Sequence, residues 1–368
     1  MILTIVVFLA ILGLLVFVHE LGHFLAAKRL GIGVEEFAFG FRPRLLAKKI
    51  GQTTYALNLI PLGGYVKLVG ETIDGRSEVE GDGLASRPIS QRIMVLVAGS
   101  AGNLVLAWLV LTVLFAVGFR AVIPGIADNP FVNRSRLGAT IVEVAADSPA
   151  SLAGLTAAET ISALDGKPVA TDWEFLEAIG KKRGTEVRLT VNRDQVGREV
   201  TIITRLTPPA GQGPLGIAIG LGSKQAAKHW WLAPLAGGYQ TLNLITLSLK
   251  GLGQFGRDLI VKRELSDQVT GIIGVGAQTA VARRLGPEFL AQLVAIISVG
   301  LALVNLLPIF PLDGGHIAVA GLEKAIGRPL KGRELSLIGS VGLMLVLALF
   351  LVVTYRDFGR FNVIDRLF

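Results

Sequence analysis

The sequence predicts an α-helical polytopic membrane protein of four spans, with a β-hairpin on the cytoplasmic side and an inserted extracytoplasmic α+β domain. Three observations carry this. Apolar residues make up 51% of the 368 positions and charged residues only 17%, well away from the soluble average, and mean hydropathy is +0.59. The apolar residues gather into runs long enough for a bilayer. Between the second and third runs the texture changes to short β-prone segments and turns. The absence of cysteine excludes disulfide scaffolds, thiolate catalysis, cysteine zinc fingers and cysteine-ligated iron–sulfur clusters. A net charge of +8 is read as membrane topology and lipid headgroup contact, with no nucleic-acid partner.

The first run, Ile2 to Val18, continues through Ala27, and a span needs about 20 residues. No Lys or Arg precedes it, and His19, Glu20 and His23 stand where a signal peptidase would need small residues. Lys28, Arg29, Arg42, Arg44, Lys48 and Lys49 follow. Positive residues stay inside, which puts the N-terminus out and residues 28–90 in the cytoplasm. There Thr53–Ile60 and Tyr65–Val69 are β-prone around a Pro61-Leu62-Gly63-Gly64 turn signal, which predicts a β-loop over about 53–69. The second span is expected at Ile93–Gly118, interrupted by Gly99-Ser100-Ala101-Gly102-Asn103. Residues 1–119 therefore form a first membrane region.

Residues 120–222 read as an exterior domain, with strands at Thr140–Val144, Glu186–Val191 and Glu199–Thr204 and a helix at Asp172–Lys181. Residues 223–288 read as a membrane-associated amphipathic linker, since 230–256 is rich in Thr, Asn, Gln and Gly. Residues 289–368 carry the last two spans, Phe289–Phe310 and Leu335–Thr354, joined by a basic loop. Both termini are expected outside.

His19-Glu20-Leu21-Gly22-His23 is a His-Glu-x-x-His. On a helix the two imidazoles share a face and can reach one metal, with Glu20 near its open position. The alternative is a span end whose polar groups reach the headgroups: Ile2 to His19 spans roughly 26 Å of a core about 30 Å thick. Catalytic zinc usually takes three protein ligands. The best third candidate is Asp313, in Asn305-Leu306-Leu307-Pro308-Ile309-Phe310-Pro311-Leu312-Asp313-Gly314-Gly315-His316, which closes a run that two prolines keep from being a regular helix. In isolation Asp313 reads as a turn residue. Depth argues otherwise. If 230–256 is not a span, the run at 289–310 goes inward like the first, and Asp313 arrives level with the histidines. His229 precedes Trp230-Trp231, a pair suited to the membrane interface, and is read as an anchor; His316 is read as structural.

These motifs resemble those of the site-two protease family of intramembrane zinc metalloproteases, in particular its bacterial RseP type with one PDZ domain. His19-Glu20-Leu21-Gly22-His23 matches the family's first motif, and Asn305, Pro308, Leu312, Asp313 and Gly314 match its N-x-x-P-x-x-x-L-D-G. Pro61–Lys67 resembles its membrane-associated β-loop, and Ile141–Ala150, Ala153-Gly154-Leu155 and Asp165–Val169 resemble a bacterial PDZ domain. The resemblance implies one zinc ion held by His19, His23 and Asp313, Glu20 as the catalytic carboxylate, and Asn305, Gly64 and Asn103 as substrate-binding residues. Two departures stand out. Ser100 occupies the proline position of the family's G-P-x-x-N, and 265–271 reads Leu-Ser-Asp-Gln-Val-Thr-Gly where the family has L-[ST]-G-P.

The implied function is cleavage of transmembrane segments of single-span membrane proteins after a first cut outside (regulated intramembrane proteolysis of an anti-sigma factor or a signal-peptide remnant) in the bacterial inner membrane. Partners would be those substrates, lipids and peptide or substrate at the PDZ domain. The alternative is a membrane zinc transporter or sensor using the same ligands without hydrolysis. Glu20 separates the two, because transport needs no general base beside the metal.

Overall fold

The computed structural model describes residues 2–70, 83–123, 126–133, 138–169, 171–193, 196–209, 212–219, 224–258, 261, 271–328 and 330–360. The 265–270 part of the departure noted above lies outside these residues. The chain forms two compact units. The first comprises Met1–Ala107, Leu244–Leu285 and Leu293–Phe368, and the second Trp108–Asn243 and Gly286–Gln292.

Among the described residues four helices are long and apolar enough to cross a membrane: α1 (Ile2–Arg29), α2 (Ile89–Val117), α7 (Pro287–Asn305) and the greater part, Gly332–Asp357, of α9 (Gly332–Arg360). These are the four runs read from the sequence. The helix over 230–256 exists, as α5 (Ala233–Arg257), but is not among those four. Two shorter helices, α6 (Ile272–Leu285) and α8 (Asp313–Ile326), are absent from the sequence reading. The third run ends sooner than expected. Asn305 closes α7 because Pro308 and Pro311 cannot donate to a continuing ladder, and Asp313 opens a new helix rather than ending the old one. An acidic residue in a first turn is favoured by the helix dipole.

In the first unit α1 and α2 approach through small residues, the usual device where lipid removes the hydrophobic drive between helices. A methyl group on Gly22 would collide with the Ala98 carbonyl, and one on Gly102 would sit 2.8 Å from Val18 O. Ser298 of α7 donates to Asn103 O of α2 (2.8 Å). Arg92 of α2 pairs with Glu323 of α8 (3.6 Å).

The β-loop is larger than the sequence suggests. It is an antiparallel pair, β1 (Val34–Ile50) and β2 (Thr53–Leu68), with the reversal at Gly51, whose φ is 62°. The signal at Pro61–Gly64 is not a turn; it bends β2 within a single strand. The sequence analysis missed β1 because its second half groups its residues in blocks, Leu45-Leu46-Ala47 and then Lys48-Lys49, and is exposed on both faces, so no buried face gave it a period-two signature. Each long strand folds back, so 34–39 pairs with 64–68 on one side and with 54–57 on the other, while 44–50 pairs with 53–58. The segment 64–68 is thus an edge. Lys28 at the end of α1 donates to Thr53 Oγ1 (2.8 Å), and that hydroxyl donates to Val34 O (2.9 Å).

The second unit holds a six-stranded sheet of β3 (Ala139–Val144), β4 (Thr160–Leu164), β5 (Lys167–Pro168), β6 (Glu186–Arg193), β7 (Val196–Ile203) and β8 (Ile217–Ile219), in the order β7-β6-β4-β3-β8 with β5 against β4. Helices α3 (Pro149–Leu152) and α4 (Asp172–Gly180) carry side-chain caps, Ser148 accepting from Ser151 N–H and Thr171 from Glu174 N–H. The core is apolar: Ile141, Ile161, Phe175, Leu189 and Leu215 are essentially inaccessible. In the same unit Trp108 Nε1–H donates to Pro234 O (2.9 Å) and Val122 N–H to Gln292 Oε1 (2.8 Å). Replacing Phe175 with Ala should destabilise this unit by about 3–5 kcal/mol, read as earlier proteolytic nicking within 139–219 on heating.

Candidate metal centre

α1 carries His19 and His23 one turn apart, and both are buried. Their Nε2 atoms lie 3.2 Å apart. Asp313 Oδ2 lies 3.1 Å from His19 Nε2 and 3.4 Å from His23 Nε2. Together the three residues form a group able to hold a metal ion. The triangle can be checked against chemistry. Three ligands at zinc's usual bond length of about 2.0–2.1 Å, spread tetrahedrally, stand about 3.3 Å from one another. The measured edges bracket that value. Asp313 Oδ2 is buried and, despite its closeness to both imidazoles, accepts no well-aligned hydrogen bond among the described residues. A buried carboxylate oxygen in that state is costly, and a divalent cation between the three atoms removes the cost. The donor set fits zinc.

The surroundings fix the ring orientations. His23 Nδ1 lies 2.8 Å from Val95 O on α2; donation to that carbonyl puts the proton on Nδ1 and leaves Nε2 for the metal, the common outer-shell arrangement. Gly99 of α2 faces both histidines, and a methyl there would collide with His23 Nε2 and sit 2.9 Å from His19 Cε1. Asn305 lies beside His19, with Nδ2 3.4 Å from Nδ1 and 3.3 Å from Nε2. The loop between α7 and α8 wraps over Gly314 and Gly315, whose added Cβ atoms would strike the backbone of Leu306, Leu307, Ile309 and Phe310. That close wrap aims Asp313 at α1. The His316 ring packs on Phe310 at 4.5 Å. His229 stacks on Trp231 at 4.5 Å and does not belong to the His19, His23 and Asp313 group.

Glu20 is held by the sheet: Val66 N–H donates to its Oε2 (3.0 Å). Gly64 lies beside it: a Cβ there would collide with Ala38 O at 2.6 Å but would only reach ordinary contact with Glu20 Cγ at 3.8 Å, so the glycine serves the close strand pairing next to Glu20. Of the expected site residues, the structure brings His19, Glu20, His23, Asp313, Asn305 and Gly64 together. Asn103 is fully buried, one turn beyond Gly99 on α2, and its side-chain amide has no partner among the described residues. Ser100 is likewise fully enclosed, with its hydroxyl unpartnered among them. Sequence reasoning missed Val66, Val95 and Gly99. The first two act through backbone atoms and leave no residue-type signal, whereas the small-residue interruption at 99–103 marked Gly99.

Two imidazoles and a carboxylate around one point, with a further carboxylate alongside in a helical membrane unit, define a metal-dependent hydrolase. The sequence matches peptidase family M50 over residues 7–349, and the chain belongs to that family: it is a zinc metalloprotease with multiple membrane helices. A Mesorhizobium japonicum protein provisionally named a zinc metalloprotease is 33% identical, over 96% of this chain and 98% of that protein. A similarly named Clostridium perfringens protein is 31% identical over 93% and 95%. The zinc metalloprotease RasP of Geobacillus kaustophilus is 27% identical over 97% and 98%. Among solved structures, the PDZ domain of the SdrC-like protein from Listeria monocytogenes aligns at 24% identity with 22% of this chain and 86% of its own, at a TM-score of 0.21. Replacing Gly99 with Val should displace both imidazoles. Metal analysis of the purified protein should then show zinc well below one per chain while the helix content by circular dichroism is kept.

Proposed function

We propose that this zinc metalloprotease cuts within the membrane, on transmembrane segments of single-span proteins, with His19, His23 and Asp313 as zinc ligands and Glu20 as the proton-transferring carboxylate. The observation that carries the reading is the meeting of Asp313 Oδ2 with both Nε2 atoms inside a unit built from spanning helices. It supports a topology in which α1 and α7 both run inward, α5 lies along the membrane or outside it, and both termini are extracytoplasmic. A bacterial inner membrane suits that arrangement.

Zinc, when bound, supplies Lewis-acid polarisation of water and of the scissile carbonyl. Glu20 takes the proton of the attacking water and passes it to the departing amide nitrogen, so that one water is added across the bond. A transmembrane helix hides its carbonyls in i to i+4 bonds, so the substrate has to be unwound first. The 64–68 edge offers an extended peptide a strand to join, with Gly64 admitting its backbone. Asn305 holds the unwound segment by its amide, and Asn103 of α2, enclosed here, is read as a substrate contact that is reached only when the helices part. An apolar hollow beside α1, lined by Val6, Leu9, Leu14, Phe17, Phe39 and Pro61, suits a hydrophobic segment coming in from lipid.

The domain within 120–222 is read as an extracytoplasmic PDZ module that excludes substrates whose outer portion is intact, so that cleavage follows a first cut outside. Anti-sigma factors and signal-peptide remnants are substrates of that form. The 223–288 region is read as a membrane-associated linker, and 1–119 and 289–368 as the two halves of the catalytic membrane core.

Replacing Glu20 with Gln should leave zinc bound but reduce cleavage of a single-span model substrate by at least about a hundredfold; full cleavage would defeat this reading, and zinc flux into vesicles would favour the transporter. Replacing Asn305 with Leu should depress cleavage with zinc content intact; a matching loss of zinc would assign Asn305 to holding His19 instead. Deleting 137–207 should admit substrates with intact outer domains, and an unchanged substrate range would remove the filter.

A further inference from the structure

Among the described residues, Glu20 is the one group of the centre that takes a hydrogen bond from the sheet. Its Oε2 accepts from Val66 N–H at 3.0 Å, and Val66 belongs to the sheet edge, since 64–68 pairs with 34–39 on one side only. The edge is stiffened just there. Tyr65 O–H donates to Glu36 Oε1 (3.0 Å), and Arg44 donates to the same oxygen. Glu36 is itself 9% exposed, so its end of the brace is largely shielded from water, whereas the Arg44 end is exposed. A carboxylate turns easily about its last torsion, and a charge-assisted bond to one oxygen removes that freedom.

We infer that Val66 is a positioning residue for the reaction: its backbone N–H fixes Glu20 Oε2, commits the other carboxylate oxygen to the water's proton, and makes the docking edge and the carboxylate a single rigid element. The inference rests on Glu20 being the proton-transferring group. A peptide laid along Gly64–Val66 then meets a carboxylate already turned toward its scissile bond, and the sheet contributes to the chemical step as well as to docking.

The test uses the full chain with its zinc. Val66→Pro deletes the N–H, and because that donor serves Glu20 and not the ladder, proline is tolerable on this edge. Replacing Val66 by its α-hydroxy analogue swaps the N–H for an ester oxygen and keeps the side chain. Both should lower kcat about tenfold with KM and zinc content unchanged, while Lys49→Ala, on the opposite side of the sheet from the docking edge, keeps full activity. Apart from turnover, affinity for a peptide hydroxamate, whose proton Glu20 accepts, should fall about tenfold, and affinity for the matching peptide amide should hold. An unchanged kcat in the ester variant overturns the inference, as does a loss confined to KM. Glu20→Gln run alongside separates the two failures. If it still cleaves, the proton-transfer reading is wrong; if it is inactive while the ester variant is fully active, only the positioning role is lost.

Discussion

Three side-chain atoms able to hold a metal ion, two from the first long apolar helix and one from a proline-broken loop near the far end of the chain, converge at 3.1–3.4 Å. In a low-dielectric setting such a group is expensive. Imidazole lone pairs and a carboxylate oxygen crowd together with no well-aligned donor for the oxygen among the described residues, and each would be better solvated in water. The surrounding packing makes sense as the means of holding that group in place. Gly22 and Gly102 let α1 and α2 close up, Gly99 leaves room for the rings, and Gly314 and Gly315 let the α7–α8 loop wrap tightly enough to aim Asp313. Without the convergence these contacts are merely close; with it they are the supports of a metal site.

The sheet extends the same logic to the carboxylate that the metal does not hold. β1 and β2 carry exposed apolar residues, among them Leu46, Ile50 and Leu59, which suits an element resting in lipid. Its inner edge reaches Glu20 through one backbone donor. The proposed cleavage within a membrane span sets two tasks that a soluble protease does not face, straightening a helical substrate and bringing water to it. An edge strand beside Glu20, the proposed proton-transferring group, brings the first task next to the chemistry.

Much of this was legible in the sequence because lipid enforces simple rules. Uncharged runs of about 20 residues can hardly be anything but spans, and polar residues inside them ask for a purpose. That logic yielded His19, Glu20 and His23, and the depth argument yielded Asp313. It did not yield α8, since a turn-like Asp-Gly-Gly reads as a helix end, and only the tight wrap of the preceding loop shows that it begins one. Nor did it yield β1, whose residues 41–50 are exposed on both faces, or the roles of Val66 and Val95, which lie in main-chain atoms common to every residue.

The central claim is that one zinc ion sits among His19, His23 and Asp313. X-ray absorption at the zinc edge of the purified protein tests it most directly. The account predicts a first shell of two imidazole nitrogens with light oxygen ligands at about 2.0–2.1 Å, and loss of one oxygen scatterer in Asp313→Ala. A shell with one imidazole or none, or a spectrum indifferent to Asp313, would contradict it.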